Sequence, residues 1–397
     1  MPALIDIRTL TVTDLPAAWE LGRLAFGSNP EPPATALTPN PTAPRHGAFN
    51  PDGHLVGMAV DLHHDQWWGG RKVSAADIAG VAVAPEARGR GVARALLTAV
   101  LRGARERGAA ISTLFPTVCA PYRKWGWEVC GSQRQYRINT ADLPASTPDP
   151  TLTVRAGTPG DLPAIHALYT TVAAHRCGWL TRDTGLYFPE PGALPRHVDG
   201  MTLVERGGQL VGFALWERGR GYGDTAALTI TDIQAADAAA ARELLTILAG
   251  WRSVTPTIRL TPAAGDAVSM ALPVSAMRTD QERPWMHRPV DVVRAVADRG
   301  WPEHAAGTVA FELVDGLAPW NNGQWRLEIA HGRGQLTAAT GTAGLRLSVR
   351  GFAALYAGAA TAAELIEAGL LEALDQSQVS ALDLLGSGPA AQQPDYF

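Results

Sequence analysis

The chain has 397 residues, a length typical of two or three domains. Its composition, 46% hydrophobic and 18% charged, is that of a globular protein, and no apolar run approaches the ~18 residues of a membrane helix. The net charge of −4 argues against a nucleic-acid-binding protein. Three cysteines without a C-x-x-C pair favour reduced thiols in a cytoplasmic protein, and the first ten residues lack the pattern of a secretory signal.

The first part of the chain is repeated once. Residues 7–21 and 154–168 agree at seven of fifteen positions, at an offset of 147. Residues 53–59 match 208–214 at five of seven positions, and residues 96–98 are identical to 244–246. Matches in the same order, at offsets of 147, 155 and 148, indicate two copies of one fold whose loops differ in length.

Each copy is predicted to open with a strand and then a helix that begins at Asp-Leu-Pro. Asp14 and Asp161 are expected to be helix N-caps, and the prolines that follow fall in the first turn, where a missing N–H costs nothing. Residues 30–44 contain six prolines and predict a long surface loop, after which a strand is expected around residues 55–59.

Aromatic and histidine residues follow this strand. The run His63-His64-Asp65 invites a metal-site interpretation, but adjacent side chains on a strand point to opposite faces, so a solvated loop before Trp67-Trp68 is favoured. The two tryptophans and Phe26 suit either an acceptor pocket or the core.

The last part of the chain has a different pattern. Residues 284–289 suggest a domain boundary, followed by a helix over 290–299. Alternating polar and apolar residues at 308–314, 323–330, 334–338 and 344–349 predict an antiparallel sheet, and residues 361–374 have helical spacing. We therefore predict three domains, at residues 1–150, 151–283 and 284–397.

The strongest functional signal is VAVAPEARGRGVARALLTAVL at residues 81–101. A short strand, a glycine-rich turn and a helix N-terminus direct backbone N–H groups and the helix dipole at one spot, and the glycines let a phosphate approach the backbone. Arg88 and Arg94 can add charge-assisted contacts. The segment lacks the third glycine of a Rossmann fingerprint and the G-K-[ST] of a P-loop.

The second copy lacks these features. At an offset of 147 the loop falls on Ala235-Ala236-Asp237-Ala238, and Ala241 stands opposite Arg94. An acidic residue thus occupies the position where a phosphate would bind. The second copy is expected to have kept the fold and lost the cofactor.

The spacing Arg88-x-x-Gly91-x-Ala93 resembles the pyrophosphate loop of the GNAT acyltransferase superfamily, which binds acetyl-CoA. With tandem copies and an α+β third part, nearly the whole chain resembles the Eis (enhanced intracellular survival) acetyltransferases. The segments 323–327, 345–349 and 365–369 resemble the sterol-carrier-protein-like domain of that family. The expected fold class is α/β and α+β, with tandem GNAT-like domains and a sterol-carrier-protein-like C-terminal domain.

The resemblance implies that a homohexamer acetylates amines of aminoglycosides, or in some relatives lysines and other polyamines, with no metal. It implies a tyrosine as general acid and the C-terminal carboxylate as base. The motif Tyr122-Arg-Lys-Trp-Gly-Trp127 and the terminal Phe397 match these positions, although Cys119-Ala120-Pro121 replaces glycines common in relatives. The implied acetyl-CoA contacts are Val81, Ala82, Val83, Arg88, Gly89, Arg90, Gly91, Val92, Ala93, Arg94, Thr117 and Val118.

Chemistry supports these roles. Attack of a neutral amine on a thioester requires removal of one proton and donation of another to the leaving thiolate. A phenol, with a pKa near 10, can donate to a thiolate of pKa about 8.5. A terminal carboxylate, with a pKa near 3.5, is ionised and attracts a cationic acceptor, but it is a weak base.

We therefore expect an acetyl-CoA-dependent N-acetyltransferase that acts on primary amines of a polycationic small molecule by direct transfer. A protein-lysine acetyltransferase that uses the same site is a second possibility. A third is a carrier of apolar ligands in which the last domain binds lipid. Nucleic-acid and membrane partners are not expected.

Overall fold

The computed structural model describes residues 5–183, 198–223, 226–341 and 343–397. These residues form two compact units. The first unit comprises the described parts of Met1–Cys130 and Trp285–Ala390 together with Phe397, and the second comprises those of Gly131–Pro284 and Ala391–Tyr396. The three predicted domain ranges stay a prediction, and these units divide the chain after residues 130, 284, 390 and 396.

The elements follow the chain in this order. The strands of the first repeat are β1 Asp6–Thr9, β2 Arg45–Phe49, β3 Leu55–Trp68, β4 Arg71–Val83, β5 Ile111–Leu114 and β6 Glu128–Asn139. Most of β6 belongs to the second unit. Its helices are α1 Leu15–Phe26, α2 Val92–Arg107 and α3 Cys119–Lys124. The strands of the second repeat are β7 Leu152–Ala156, β8 Cys177–Leu180, β9 Gly200–Arg206, β10 Gln209–Arg218, β11 Ala227–Ala235, β12 Thr257–Leu260 and β13 Arg278–Pro289, and its helices are α4 Leu162–Ala173, α5 Ala238–Ala249 and α6 Ala267–Ala271.

The two repeats have the same strand topology. In the first unit the order is β1-β2-β3-β4-β5, and in the second it is β7-β9-β10-β11-β12. Neighbouring strands are antiparallel except for the last pair of each set, β4 with β5 and β11 with β12, which is parallel. A helix follows the first strand and another precedes the last in both repeats. The prediction of two copies of one fold is confirmed.

A sixth strand is exchanged between the repeats. Residues Met286–Pro289 at the end of β13 pair with β5 in the first unit, whereas Tyr136–Asn139 at the end of β6 pair with β12 in the second. Each sheet is thus completed by a strand that the other repeat supplies. This exchange explains why residues 284–289, predicted as a boundary, are the end of a strand.

The helix openings depart from the prediction in one detail. Asp14 and Asp161 immediately precede α1 and α4, and Pro16 and Pro163 lie in the first turn as expected. Neither carboxylate caps its helix, because each accepts hydrogen bonds from the threonine three residues earlier and from an arginine of the strand before it. The aspartate, held by this threonine and arginine, therefore fixes the turn that leads from strand to helix.

The last part of the chain is α+β, as predicted. Its strands are β14 Gly307–Val314, β15 Gly323–Ala330, β16 Arg333–Ala338, β17 Leu345–Ser348 and β18 Leu371–Ala373, and its helices are α7 Val292–Asp298, α8 Val349–Tyr356, α9 Ala362–Glu367 and α10 Val379–Leu382. The sheet order is β16-β15-β14-β17-β18, with one parallel pair, β14 with β17.

The helix expected over 361–374 is shorter than predicted. It ends at Glu367, and Gly369 adopts φ of 67°, a left-handed conformation that favours glycine and ends a helix. The chain then returns as β18.

Each unit has its own apolar core. In the first unit, one face of α2 (Leu96, Leu97 and Val100) packs on residues of β2–β5. In the second, Leu244 and Leu245 of α5 occupy the equivalent place against β10–β12. No helix in the described part of the chain is both long and apolar enough to cross a membrane.

Candidate active site

The glycine-rich loop connects the end of β4 to α2. A short 3-10 turn, Pro85–Ala87, follows the strand, and Arg88 donates from Nε to the carbonyl oxygen of Val83 at 3.1 Å. Gly89 and Gly91 adopt φ of 74° and 82°. An added Cβ at either glycine would meet no atom within 4 Å, so space adjoins the backbone. The conformation requires glycine, and the open space permits a ligand to approach.

Helix α2 begins at this loop without a side-chain cap. Its N-cap is Gly91, which has no side chain to accept a hydrogen bond from the first-turn N–H groups. Val92 is buried and Ala93 is half-buried, whereas Arg88, Arg90 and Arg94 are exposed. Uncapped N–H groups, the positive end of the helix dipole and exposed guanidinium groups together fit an anionic group such as a pyrophosphate.

The second repeat provides an internal comparison. Helix α5 begins at Asp237, whose carboxylate accepts from the N–H groups of Ala239 and Ala240 at 3.0 and 2.9 Å. Arg206 donates to the same carboxylate at 2.7 Å and lowers its pKa. The chain's own carboxylate thus occupies the anion position in this repeat, which agrees with the expectation from the sequence.

Strand β4 extends past the end of β5. The parallel register joins Ala75–Ile78 to Ile111–Leu114, and β4 then continues to Val83. Gly80, with φ of 56°, lies at the start of this extension. Val81, Ala82 and Val83 therefore lie beyond the β4–β5 pairing, while Thr117 and Val118 are exposed residues shortly after β5. Val81–Val83 thus form the C-terminal end of β4, and Thr117 and Val118 follow that of the neighbouring parallel strand β5, a place where ligands commonly bind in open α/β sheets.

Tyr122 lies on the short helix α3, half-buried between two tryptophans. Its ring makes edge-on contacts with Trp125 and Trp127 at centroid distances of 5.9 and 6.1 Å. Burial raises the pKa of Tyr122 to about 12, so the phenol keeps its proton at any ordinary pH. The same loss of solvation disfavours a thiolate, so that a thiolate formed nearby would also become a stronger base.

Phe397 packs against residues of the first unit. Its half-buried ring makes edge-on contacts with Phe115 and His64 at 5.3 and 5.6 Å. Phe115 directly follows β5 and lies two residues before Thr117. These contacts place Phe397 beside the C-terminal end of β5.

A cavity of about 200 Å³ lies in the first unit against α1. Trp19 and Phe26 supply aromatic rings to it, and Met58 and Gly80 close its other side. Phe26 is 52% exposed and belongs to this cavity, whereas Trp67 and Trp68 are buried in the core. Of the three aromatic residues considered from the sequence, only Phe26 suits an acceptor pocket.

Asp395 is a buried member of an ion pair in the second unit. Its carboxylate accepts two hydrogen bonds from Arg182, at 2.6 and 3.2 Å, and lies 3.4 Å from the hydroxyl of Tyr169. The side chain is 5% exposed. Asp395 is therefore not available to bind a cationic substrate as an exposed C-terminal acid would be.

The interpretation of His63-His64-Asp65 as a solvated loop is wrong. All three residues lie in β3, and His64 is buried with Nδ1 at 2.9 Å from Oδ2 of Asp77. The sequence signal that could have revealed this is the alternation of His64, Gln66 and Trp68, which places a polar row on one face of a strand.

Comparisons with known proteins agree with this architecture. Residues 6–130 match the family model for an acetyltransferase (GNAT) domain, and residues 292–392 match that for a sterol carrier protein domain. Over 322 residues the chain is 30% identical to an uncharacterized N-acetyltransferase of Streptomyces coelicolor, covering 76% of this chain and 75% of that protein. This chain belongs to the GNAT family of acetyltransferases. A similar protein of Streptomyces avermitilis is 29% identical and covers 77% of each chain.

Solved structures share the fold of this GNAT protein along its length. A GCN5-related N-acetyltransferase from Kribbella flavida has a TM-score of 0.82 and 28% identity, covering 100% of this chain and 99% of its own. Eis1 from Mycobacterium abscessus has a TM-score of 0.77 and 22% identity, covering 99% and 100%. The expected fold class is confirmed. The protein is an acetyltransferase, and its GNAT domain implies acetyl-CoA as co-substrate.

Proposed function

We propose that this GNAT protein transfers the acetyl group of acetyl-CoA directly to primary amines of polycationic small molecules such as aminoglycosides. Tyr122 acts as the general acid, and the terminal carboxylate of Phe397 acts as the base. The observation that carries the proposal is the contrast between the two repeats: α2 begins at an uncapped glycine flanked by exposed arginines, whereas α5 begins at a carboxylate.

The residues of the glycine-rich loop have different roles in binding the co-substrate. The N–H groups of Val92 and Ala93 and the guanidinium groups of Arg90 and Arg94 bind the pyrophosphate, and Arg88 holds the loop to β4. Gly89 and Gly91 leave room for it. The backbone of Val81, Ala82 and Val83, with Thr117 and Val118, flanks the arm that carries the thioester.

The acceptor amine approaches this site as a neutral nucleophile. The Phe397 carboxylate attracts the cationic acceptor and takes the proton that the amine loses, and Tyr122 donates its proton to the leaving sulfur. The rings of Trp19 and Phe26 can stack on an acceptor ring or ammonium group at the cavity of α1. Because transfer is direct, Cys119 has no role as a nucleophile.

Thiol release from acetyl-CoA by the purified protein tests the proposal. We expect release that depends on an aminoglycoside carrying several amines. Release with a lysine-containing peptide instead would support a protein-lysine acetyltransferase at the same site. Acetyl-CoA binding without release to any amine would contradict the acceptor class, and failure to bind acetyl-CoA would contradict the loop assignment.

Neutralising the loop arginines should weaken binding of acetyl-CoA. We expect the double substitution Arg90→Gln with Arg94→Gln to raise the Kd by about 10-fold or more, because charge-assisted hydrogen bonds to phosphate are among the stronger polar contacts. Calorimetric titration with acetyl-CoA measures this. Arg102→Gln, which removes another exposed arginine of α2, is the matched control. An equal loss in both proteins would mean that general charge, and not the loop, determines affinity.

The domain ranges 1–150, 151–283 and 284–397, the homohexamer and the cytoplasmic location complete the proposal. Support for the ranges comes from the repeated strand topology and from the sterol carrier protein match over residues 292–392.

A further inference from the structure

A buried polar cluster lies beside Phe397 in the first unit. It consists of His64 and Gln66 on β3, Asp77 on β4 and Thr113 on β5. All four residues are at most 4% exposed. Asp77 faces Leu62 across the β3–β4 ladder and Thr113 across the β4–β5 ladder, so the register of three strands brings these side chains together.

The hydrogen bonds of this cluster fix the direction of every donor around Asp77. Thr113 donates from Oγ1 to Oδ1 of Asp77 at 2.6 Å, and Gln66 donates from Nε2 to the same oxygen at 3.1 Å. Trp68 donates from Nε1 to Oε1 of Gln66 at 3.3 Å, which fixes the orientation of that amide. An ionised Asp77 carboxylate can only accept, so with Asp77 ionised its third partner, Nδ1 of His64, carries the hydrogen.

The other ring nitrogen of His64, Nε2, has no partner in the part of the chain that the structure describes. With the hydrogen on Nδ1, the neutral ring has an acceptor at Nε2. This nitrogen is buried and has no hydrogen-bond partner among the described residues. A buried polar atom without a partner is destabilising, so a cluster that satisfies its other atoms and leaves this one needs a reason.

His64 lies beside Phe397, and the two rings make an edge-on contact at 5.6 Å. The terminal carboxylate is not hydrogen-bonded to Nε2 in the structure, so a proton passes between them only if the carboxylate moves closer when the acceptor binds. The proposed base is a carboxylate, and an imidazole is ordinarily a stronger base than a carboxylate by about 2–3 pKa units. An aspartate that holds a histidine in one tautomer and stabilises its charged form is a recurring arrangement for accepting a proton.

We propose that His64, oriented by Asp77, takes up the amine proton by way of the Phe397 carboxylate. This inference rests on the proposed function. As the nitrogen–carbon bond forms and the carbon–sulfur bond breaks, the amine proton passes to the carboxylate and then to Nε2 of His64, while Tyr122 protonates the sulfur. After the products leave, the buried His64 returns its proton to water through the Phe397 carboxylate, and Tyr122 regains one, so the reaction yields only amide and thiol.

Few other charged groups face His64 within the described part of the first unit. Asp77 is the carboxylate from β4, β5 contributes the neutral Thr113, and the terminal carboxylate is that of Phe397. On β3 itself, Asp61 and His63 alternate to the opposite face, where Asp61 pairs with Arg107 and His63. Asp65 also alternates away from His64.

The substitution His64→Phe tests the proposal, because it keeps an aromatic ring against Phe397 and removes the nitrogen. We expect kcat to fall by about 100-fold with the Kd for acetyl-CoA unchanged. The fall of kcat toward acid pH should shift in the variant, because protonation of His64 no longer contributes to it and only that of the Phe397 carboxylate remains. His63→Phe makes the same change one residue away on the opposite face and should retain the natural kcat and pH profile.

A variant that keeps at least half of the natural kcat with an unchanged pH profile overturns the proposal, as does an equal loss in His63→Phe. If His64→Phe does not fold, Asp77→Asn decides, since it conserves volume. We expect the same loss of kcat and the same shift of the acid-side fall, and a natural profile overturns the proposal. Thiol release by the natural protein separates this inference from the proposed function. Absence of release with every amine contradicts the function, whereas release that survives loss of His64 contradicts only the relay.

Discussion

Replacing Tyr122 with Phe is expected to lower kcat by about 100-fold or more while the Kd for acetyl-CoA stays within about twofold, since a positioned general acid contributes about 10²- to 10⁴-fold. The substitution removes one oxygen and keeps the ring that contacts Trp125 and Trp127. Because burial raises the pKa of Tyr122 to about 12, the natural protein should show no loss of kcat below about pH 10 that is due to this phenol.

Steady-state kinetics of thiol release, together with titration of acetyl-CoA, measure this effect. Tyr222→Phe is the matched control, because Tyr222 is 86% exposed and lies in the second repeat. Parallel losses in kcat and in acetyl-CoA affinity would show that Tyr122 shapes the binding site and is not the acid. A variant with nearly natural kcat would exclude the hydroxyl from the reaction.

Extending the chain beyond Phe397 is the second change with a large expected effect. A short Gly-Ser extension converts the terminal carboxylate into an amide bond while the Phe397 side chain can still contact His64 and Phe115. We expect kcat to fall by about 100-fold, because the extension moves the terminal charge and the proton acceptor away from Phe397 together. The same extension at the N-terminus is the control.

A C-terminal amide made by semisynthesis separates charge from bulk. It removes the carboxylate charge and adds almost no volume, so a fall in kcat equal to that of the extended protein would identify the charge as the cause. If the amide retains natural activity and only the extension is impaired, the carboxylate is not the base. Thermal unfolding of each protein shows whether the Phe397 ring still stabilises the first unit.

The sequence by itself determined the features that depend on short-range chemistry. The repeat, the Asp-Leu-Pro turns and the glycine-rich loop before α2 followed from local patterns, because glycine conformation and helix ends are set by residues only a few positions apart. The loss of the anion loop in the second repeat was evident for the same reason, since one residue, Asp237, fills the helix N-terminus.

Only the tertiary structure decided which distant residues meet. The exchange of β6 and β13 between the repeats, the burial of His64 against Asp77 and the contact of Phe397 with His64 all depend on strand register and on pairs separated by 13 to several hundred residues. Local sequence does not encode such pairings, because a shift of one residue in register turns every side chain of a strand to its other face. The length of the helix over 361–374 was overestimated for a related reason. The helical spacing of apolar residues continues past Gly369, but the residues that follow form β18, which pairs with the distant strand β17.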